Sequence, residues 1–215
     1  MLIAVDGPLA SGKGTIARYL ARTYNLPHLD TGLLYRATAL GLLRAGKEPS
    51  DRQAALESAQ RVDAAALEDP ELRSARVGAA ASKVAAFNAV RRALFDFQRA
   101  FAARPGGAVL DGRDIGTVIC PHADVKLWVC APVTERARRR HAELLDRGEN
   151  ISYDEVLAQL RERDARDAGR KDAPMQRAAD AHLLNTGDLS IDAAFEAARR
   201  IVDAAMAEPS GGARP

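Results

Sequence analysis

The chain opens on a short unbroken apolar run, Leu2-Ile3-Ala4-Val5, which stops at Asp6-Gly7-Pro8. A run this short, closed by turn residues, predicts a strand buried on both faces. From Lys13 the spacing becomes helical, with Ile16, Ala17, Leu20 and Ala21 on one side. Further apolar runs at Ala108–Leu110, Val125–Val129 and Ala181–Leu184 predict later strands, and another is expected just before Asp30. Polar turn residues and then a helical stretch follow each one. Strands alternating with helices build an α/β fold, here a five-stranded, mainly parallel sheet with helices on both faces.

Residues 44–104 interrupt this alternation with helical text alone, rich in Ala, Arg and Leu, and are expected to form an insertion outside the sheet. Residues 133–147 and 152–169 read as two charged helices separated by Gly148-Glu149-Asn150. The tail 208–215 is expected to be disordered.

At 215 residues with 47% hydrophobic and 28% charged side chains, the chain can bury a sizeable core, which excludes global disorder. A formal charge of +2 is too balanced for a coat on nucleic acid or an anionic membrane, so any role for the arginines is local. Cys120 and Cys130 sit in apolar text and make neither a disulfide framework nor a metal pair. With no basic leader and no run of membrane-spanning length, the expectation is a soluble cytoplasmic protein.

Gly7-Pro8-Leu9-Ala10-Ser11-Gly12-Lys13 matches the G-x-x-x-x-G-K core of a phosphate-binding loop, between a predicted strand and a predicted helix. Glycines let backbone N–H groups converge on phosphate oxygens at a helix N-terminus, and Lys13 adds a compact positive charge. The general motif places Ser or Thr directly after the lysine; here Gly14 intervenes before Thr15. That G-K-G-T form resembles the nucleoside monophosphate kinases. Ser11 and Thr15 are candidates for phosphate or water-mediated Mg²⁺ contacts.

Three further clusters narrow the reading: Asp30-Thr31-Gly32-Leu33-Leu34-Tyr35-Arg36, Asp111-Gly112-Arg113-Asp114-Ile115-Gly116-Thr117, and Arg163-Asp164-Ala165-Arg166-Asp167-Ala168-Gly169-Arg170. With these, with D-G-P-x-A-S-G-K-G-T, and with A-A-S-K-V-A-A-F followed by V-R-R-A-L, the chain resembles the bacterial cytidylate kinases over residues 2–207. The resemblance implies a P-loop kinase fold that moves the γ-phosphate of ATP onto CMP or dCMP. It implies a core (1–43, 105–132, 173–207), a monophosphate-binding insertion (44–104), a mobile lid (133–172), Mg²⁺ with ATP, and a monomer.

The implied roles agree with the chemistry each substrate demands. A monophosphate dianion needs fixed cations with fork geometry, which arginine supplies; by resemblance these are Arg36, Arg113 and Arg163. Cytosine presents an amino donor beside carbonyl and ring-nitrogen acceptors, and the resemblance implies a pocket of Ser82, Arg91, Asp114 and Arg170. Asp167 would meet the ribose hydroxyls, with Thr31 and Tyr35 lining the cleft. Residues Gly7, Pro8, Leu9, Ala10, Ser11, Gly12, Lys13, Gly14 and Thr15 would hold the ATP phosphates. Asp111 ends an apolar strand as a Walker-B aspartate does, and either holds Mg²⁺ through water or orders Lys13 or Arg113. Arg136 and Arg139, three apart and so on one helix face, would close over the transferring group with Arg166 from the facing helix, hinged at Asp146-Arg147-Gly148. The CMP oxygen is already anionic, so direct in-line transfer needs no general base.

This sequence departs from the family at two places. Many members have a longer insertion with a small sheet, whereas the text between Val62 and Ser82 predicts a shortened, purely helical one. The phosphate loop also lacks a glycine at Leu9 or Ala10. Rival readings are a P-loop kinase for another acceptor, such as UMP or shikimate, a nucleotide switch, and a nucleic-acid binder. No Asn-Lys-x-Asp guanine reader is present, and Asp and Glu interleave the arginine-rich helices without stacking aromatics, which count against the last two.

Overall fold

A computed structural model describes residues 1–207; the expected disorder of the tail lies outside the described residues. Five strands form one all-parallel sheet in the order β2-β3-β1-β4-β5. They are β1 (Leu2–Asp6), β2 (His28–Asp30), β3 (Ala108–Gly112), β4 (Val125–Cys130) and β5 (His182–Asn185). Period-two alternation divides the core between the sheet faces. Ile3, Val5, Val109 and Leu127 pack on one face against α1 (Lys13–Thr23) and α8 (Ile191–Ala207). Ala4, Leu29, Ala108 and Leu110 pack on the other against α2 (Thr31–Arg44), α3 (Arg52–Gln60), α4 (Ala75–Val84) and α5 (Asn88–Ala102). Helix α1 buries the four residues its spacing singles out, Ile16, Ala17, Leu20 and Ala21.

Four strands differ at their ends from the sequence expectation; β1, β4 and β5 each run one residue further, to Asp6, Cys130 and Asn185. β3 runs two residues past Leu110, because Asp111 and Gly112 continue the ladder opposite Val5 and Asp6. β5 starts at His182, since the Ala181 amide instead closes a turn onto the Ala178 carbonyl.

Between β2 and β3 the 44–104 segment consists of helices joined by short turns, with single helical turns at Ala65–Glu68 and Pro70–Arg73 beside α3, α4 and α5, and it contributes no strand to the sheet. Beyond β4, α6 (Val133–Asp146) and α7 (Tyr153–Ala168) form a helical hairpin with its own small core of Ala137, Leu144, Val156 and Leu160. Ser152 starts α7 with a reciprocal capping box to Glu155. Gly148, at φ 76°, supplies the left-handed turn after α6. No helix among the described residues is long and apolar enough to cross a membrane.

Parallel strands put all their carboxyl ends on one edge, where open α/β sheets bind ligands. Here that edge carries Asp6, Asp30, Asp111 and Cys130; β2 leads straight from Asp30 into α2, and β1, β3 and β4 lead into turns.

Candidate active site

The phosphate loop leaves β1 through Gly7, at φ 153°, where an added β-carbon would stand 2.0 Å from the Val129 carbonyl oxygen. Only glycine permits that crossing of β4. Gly12, at φ 86°, caps α1, whose first turn has no acidic residue to compete for its open N–H groups. Ala10 takes a left-handed φ of 61°, a strain of about 1 kcal/mol. Ser11 is buried, and its hydroxyl makes no hydrogen bond. Burial in this crowded cleft lowers the Lys13 pKa to about 8, and Arg113 nearby adds to the effect against Asp111 and Asp30. An ammonium so deprived of solvation gains from an arriving phosphate.

Asp111, one residue before the end of β3, is almost fully buried. Its Oδ1 is 2.8 Å from His28 Nε2, and its carbonyl accepts a 2.8 Å hydrogen bond from Thr31 Oγ1. Its Oδ2 lies 3.6 Å from where a β-carbon on Gly14 would stand, so it faces the phosphate loop. Thr15 Oγ1 is more exposed and accepts from Arg18 at 3.3 Å. Asp30 caps α2 through the Gly32 amide, and burial followed by repulsion from Asp111 raises its pKa. Asp6 accepts both the Ile115 and Gly116 amides, at 2.9 and 2.7 Å, which fixes the turn carrying Arg113 and Asp114.

A cavity of about 130 Å³ opens between these strand ends, α2, α4 and α7. Lys13, Arg36, Arg91, Arg113, Arg163 and Arg170 line it against only three carboxylates, Asp30, Asp114 and Asp167. Thr31 and Tyr35 complete the wall. Arg91 donates to Asp114 in a buried ion pair and to the Tyr35 hydroxyl at 3.4 Å. Burial works against charge on Asp167, but Arg113, Arg170 and Arg163 outweigh it and hold its pKa below the usual carboxylate range. Arg113 and Arg170 both donate to Asp167. The Nε groups of Arg163 and Arg170 are buried without a hydrogen-bond partner. Burial lowers the pKa of both, and a guanidinium there still carries its charge at neutral pH. The cavity is smaller than the roughly 300 Å³ typical of ligand pockets. Through Leu9, Arg36 and Arg163 it continues into a 690 Å³ space between α4 and the α6–α7 hairpin.

Nine of the ten acceptor residues expected from the sequence line the cavity. Ser82 lies in the adjoining space, where its hydroxyl accepts a 2.8 Å bond from Arg166. The three lid arginines do not converge on one point. Arg136 is buried and donates to the Leu9 and Ala131 carbonyls and to Asp164. Arg139 donates to Thr186, whose hydroxyl in turn donates to the Ser11 carbonyl, and Arg166 reaches the insertion. Arg147 also crosses from α6 to the insertion, donating to the Arg73 carbonyl.

Sequence reasoning missed several participants. His28 and Asp6 orient the strand ends, but neither stands in a pattern that reveals its partner. The Leu72 and Ser74 carbonyls accept from Arg36, contacts with no side-chain signal. Gly78 was legible as a glycine inside a helix; a β-carbon there would stand 2.8 Å from the Arg36 guanidinium. A second cavity of about 570 Å³ lies on the outer side of the phosphate loop, between Gly12, Thr15, Arg138 and Arg139 and the 186–190 turn.

A phosphate loop at the head of a parallel sheet, with an open cavity on one flank and a strongly cationic one on the other, is the layout of a P-loop phosphotransferase. A family model described as cytidylate kinase matches residues 3–204, and the chain belongs to that family. It is 56% identical over 207 residues to the cytidylate kinase of Xanthobacter autotrophicus, covering 96% of this chain and 99% of that one. A cytidylate kinase from a Methylobacterium strain is 57% identical over 204 residues, covering 95% and 97%. An uncharacterized protein from Eubacterium ventriosum has a solved structure that matches with a TM-score of 0.54 at 14% identity, over 96% of this chain and 99% of its own, a likeness of fold alone.

Proposed function

We propose that the chain transfers the γ-phosphate of ATP to CMP or dCMP, giving ADP with CDP or dCDP. The observation that carries this reading is the acceptor cavity, where six cations, Lys13 among them, face three carboxylates and two guanidinium N–H groups lack partners. A buried donor without a partner costs about 1–3 kcal/mol, and a phosphate dianion supplies what is missing. Arg36, Arg113 and Arg163 take that phosphate. The base lies against Arg91, Asp114, Arg170 and Ser82, and Asp167 meets the ribose.

The ATP phosphates lie along residues 7–15, and the nucleoside extends into the space by the 186–190 turn. Asp111 is the better placed of the two expected Mg²⁺ contacts, because Thr15 Oγ1 is turned toward Arg18. An ATP-bound Mg²⁺ keeps several waters and takes ligands from the substrate phosphates, so one or two protein oxygens would suffice. When bound, Mg²⁺ neutralises charge on the β- and γ-phosphates. Lys13 stabilises the same charge as it shifts toward the leaving ADP. Arg136 and Arg139 lock the lid onto the loop in this arrangement, and Arg166 ties it to the insertion. The insertion (44–104) and lid (133–172) move against the core to admit substrates, within a single chain acting as a monomer.

The test is ADP release from MgATP with CMP, dCMP, UMP, AMP, GMP and shikimate supplied separately. Turnover with CMP and dCMP well above the rest is expected. Preference for UMP would sink the base-reading roles, and no acceptor-dependent turnover would sink the kinase reading.

A further inference from the structure

The phosphate loop binds anions through its backbone, so the side chain at Leu9 is free for other work. Leu9 packs against the lid core of Ala137, Leu144, Val156 and Leu160. It lines both the acceptor cavity, together with Lys13, and the larger space between lid and insertion. Its carbonyl accepts a 3.2 Å hydrogen bond from Arg136, which also donates to Asp164 on α7. The crest of the loop is therefore joined to both lid helices, by an apolar contact and by a hydrogen bond.

This position has a chemical consequence if the chain is the kinase proposed above, on which the inference rests. Two nucleophiles compete for the γ-phosphorus, an acceptor phosphate oxygen and water. When water attacks, a new P–O bond forms, the bond to the β-bridging oxygen breaks, and ADP, inorganic phosphate and a proton result. A water persists beside apolar side chains only where two to four polar partners hold it. We propose that Leu9 is the apolar seat of the lid, and that it excludes water from the transferring phosphoryl group. It is a positioning residue: it shapes the closed cleft rather than touching the reacting atoms.

Purified full-length wild type, Leu9→Ala and Leu9→Met are compared with MgATP and CMP, following CDP, ADP and inorganic phosphate, with a thermal melt of each. Leu9→Ala is expected to raise phosphate released per CDP formed by about tenfold, a difference of about 1.4 kcal/mol between the two barriers. Leu9→Met keeps apolar volume and should hold that ratio within about twofold of wild type. A folded Leu9→Ala with an unchanged ratio, even with a raised KM for ATP, overturns the inference, as does Leu9→Met matching Leu9→Ala. Should Leu9→Ala fail to fold, Leu9→Val must show an intermediate rise, and no rise overturns it. A wild type that makes no CDP fails the kinase reading itself, a result visible before any variant is assayed.

Discussion

Arg163→Met separates a ligand-binding arginine from a structural one. The Arg163 side chain is about one-fifth exposed, its Nε makes no hydrogen bond, and its nearest carboxylate, Asp167, stands 3.8 Å away. Around it lie three more cations, Arg113, Arg36 and Arg170. In the free protein this side chain carries an unsatisfied donor, a cost of about 1–3 kcal/mol that methionine removes, less the modest attraction to Asp167 and a long, 3.5 Å hydrogen bond from Nη1 to the Gly78 carbonyl. Methionine follows the same unbranched path without polar atoms at its end. Stability should therefore hold or rise by up to about 1 kcal/mol, no more than about 2–4 °C in melting temperature for a chain of this size.

Acceptor binding should move the other way. A hydrogen bond to a charged group is worth about 1.5–3 kcal/mol. One such bond to the CMP phosphate, once lost, raises the KM for CMP about 10- to 150-fold. The KM for ATP should stay near wild type, because Arg163 lines the acceptor cavity and not the donor side. The assay is steady-state ADP release over a CMP titration, with a thermal melt of the same preparations. A KM for CMP within twofold of wild type, together with a fall in melting temperature, would refute the reasoning and make Arg163 a structural partner of Asp167.

Lys13, with a pKa of about 8 in the free protein, must be charged to meet ATP, so affinity should weaken as pH rises above 8 and binding near pH 8 should take up protons. Calorimetry in buffers of different ionisation heat reads both effects, and a Kd flat to about pH 9.5 refutes them. Lys13→Met should abolish transfer and leave the thermal melt intact. Asp114→Ala leaves Arg91 buried without its partner, so a loss of about 3–5 kcal/mol in stability should accompany weaker discrimination of CMP from UMP, measured by denaturant melts and a substrate panel. Gly78→Ala should raise the KM for CMP by displacing Arg36, although alanine is the better helix former by about 1 kcal/mol; an unchanged KM would separate the α4 contact from acceptor binding.

The sheet and its helices were legible because burial leaves a periodic trace. Leu2–Val5 is apolar on both faces because helices cover both, in β4 Val125, Leu127 and Val129 face α1 and α8 while the alternate Lys126 is buried in an ion pair with Asp180, and the stripe of α1 is visible in four residues. The phosphate loop was legible because its glycines answer to backbone geometry, as Gly7 does against Val129. Asp111 was legible as the carboxylate following the apolar run that ends at Leu110, although the ladder itself continues through it to Gly112. Its partner His28 sits on another strand, and no local spacing joins them.

The arginines mark where sequence reading reaches its limit. Arg36, Arg91, Arg113, Arg163 and Arg170, which motif position grouped, line one cavity, because each follows a strand end or sits on a helix facing it. Spacing on α6 also placed Arg136 and Arg139 on a common face, yet it could not say what that face meets. The Arg136 donors are taken by carbonyls and Asp164, and those of Arg139 by Glu135 and Thr186, whereas Arg163 retains one N–H with nothing to receive it. A guanidinium whose donors are already satisfied fastens one element to another, and one whose donors are buried and vacant is arranged for a ligand. That distinction depends on partners from distant parts of the chain, so it emerges only once the fold has brought them together.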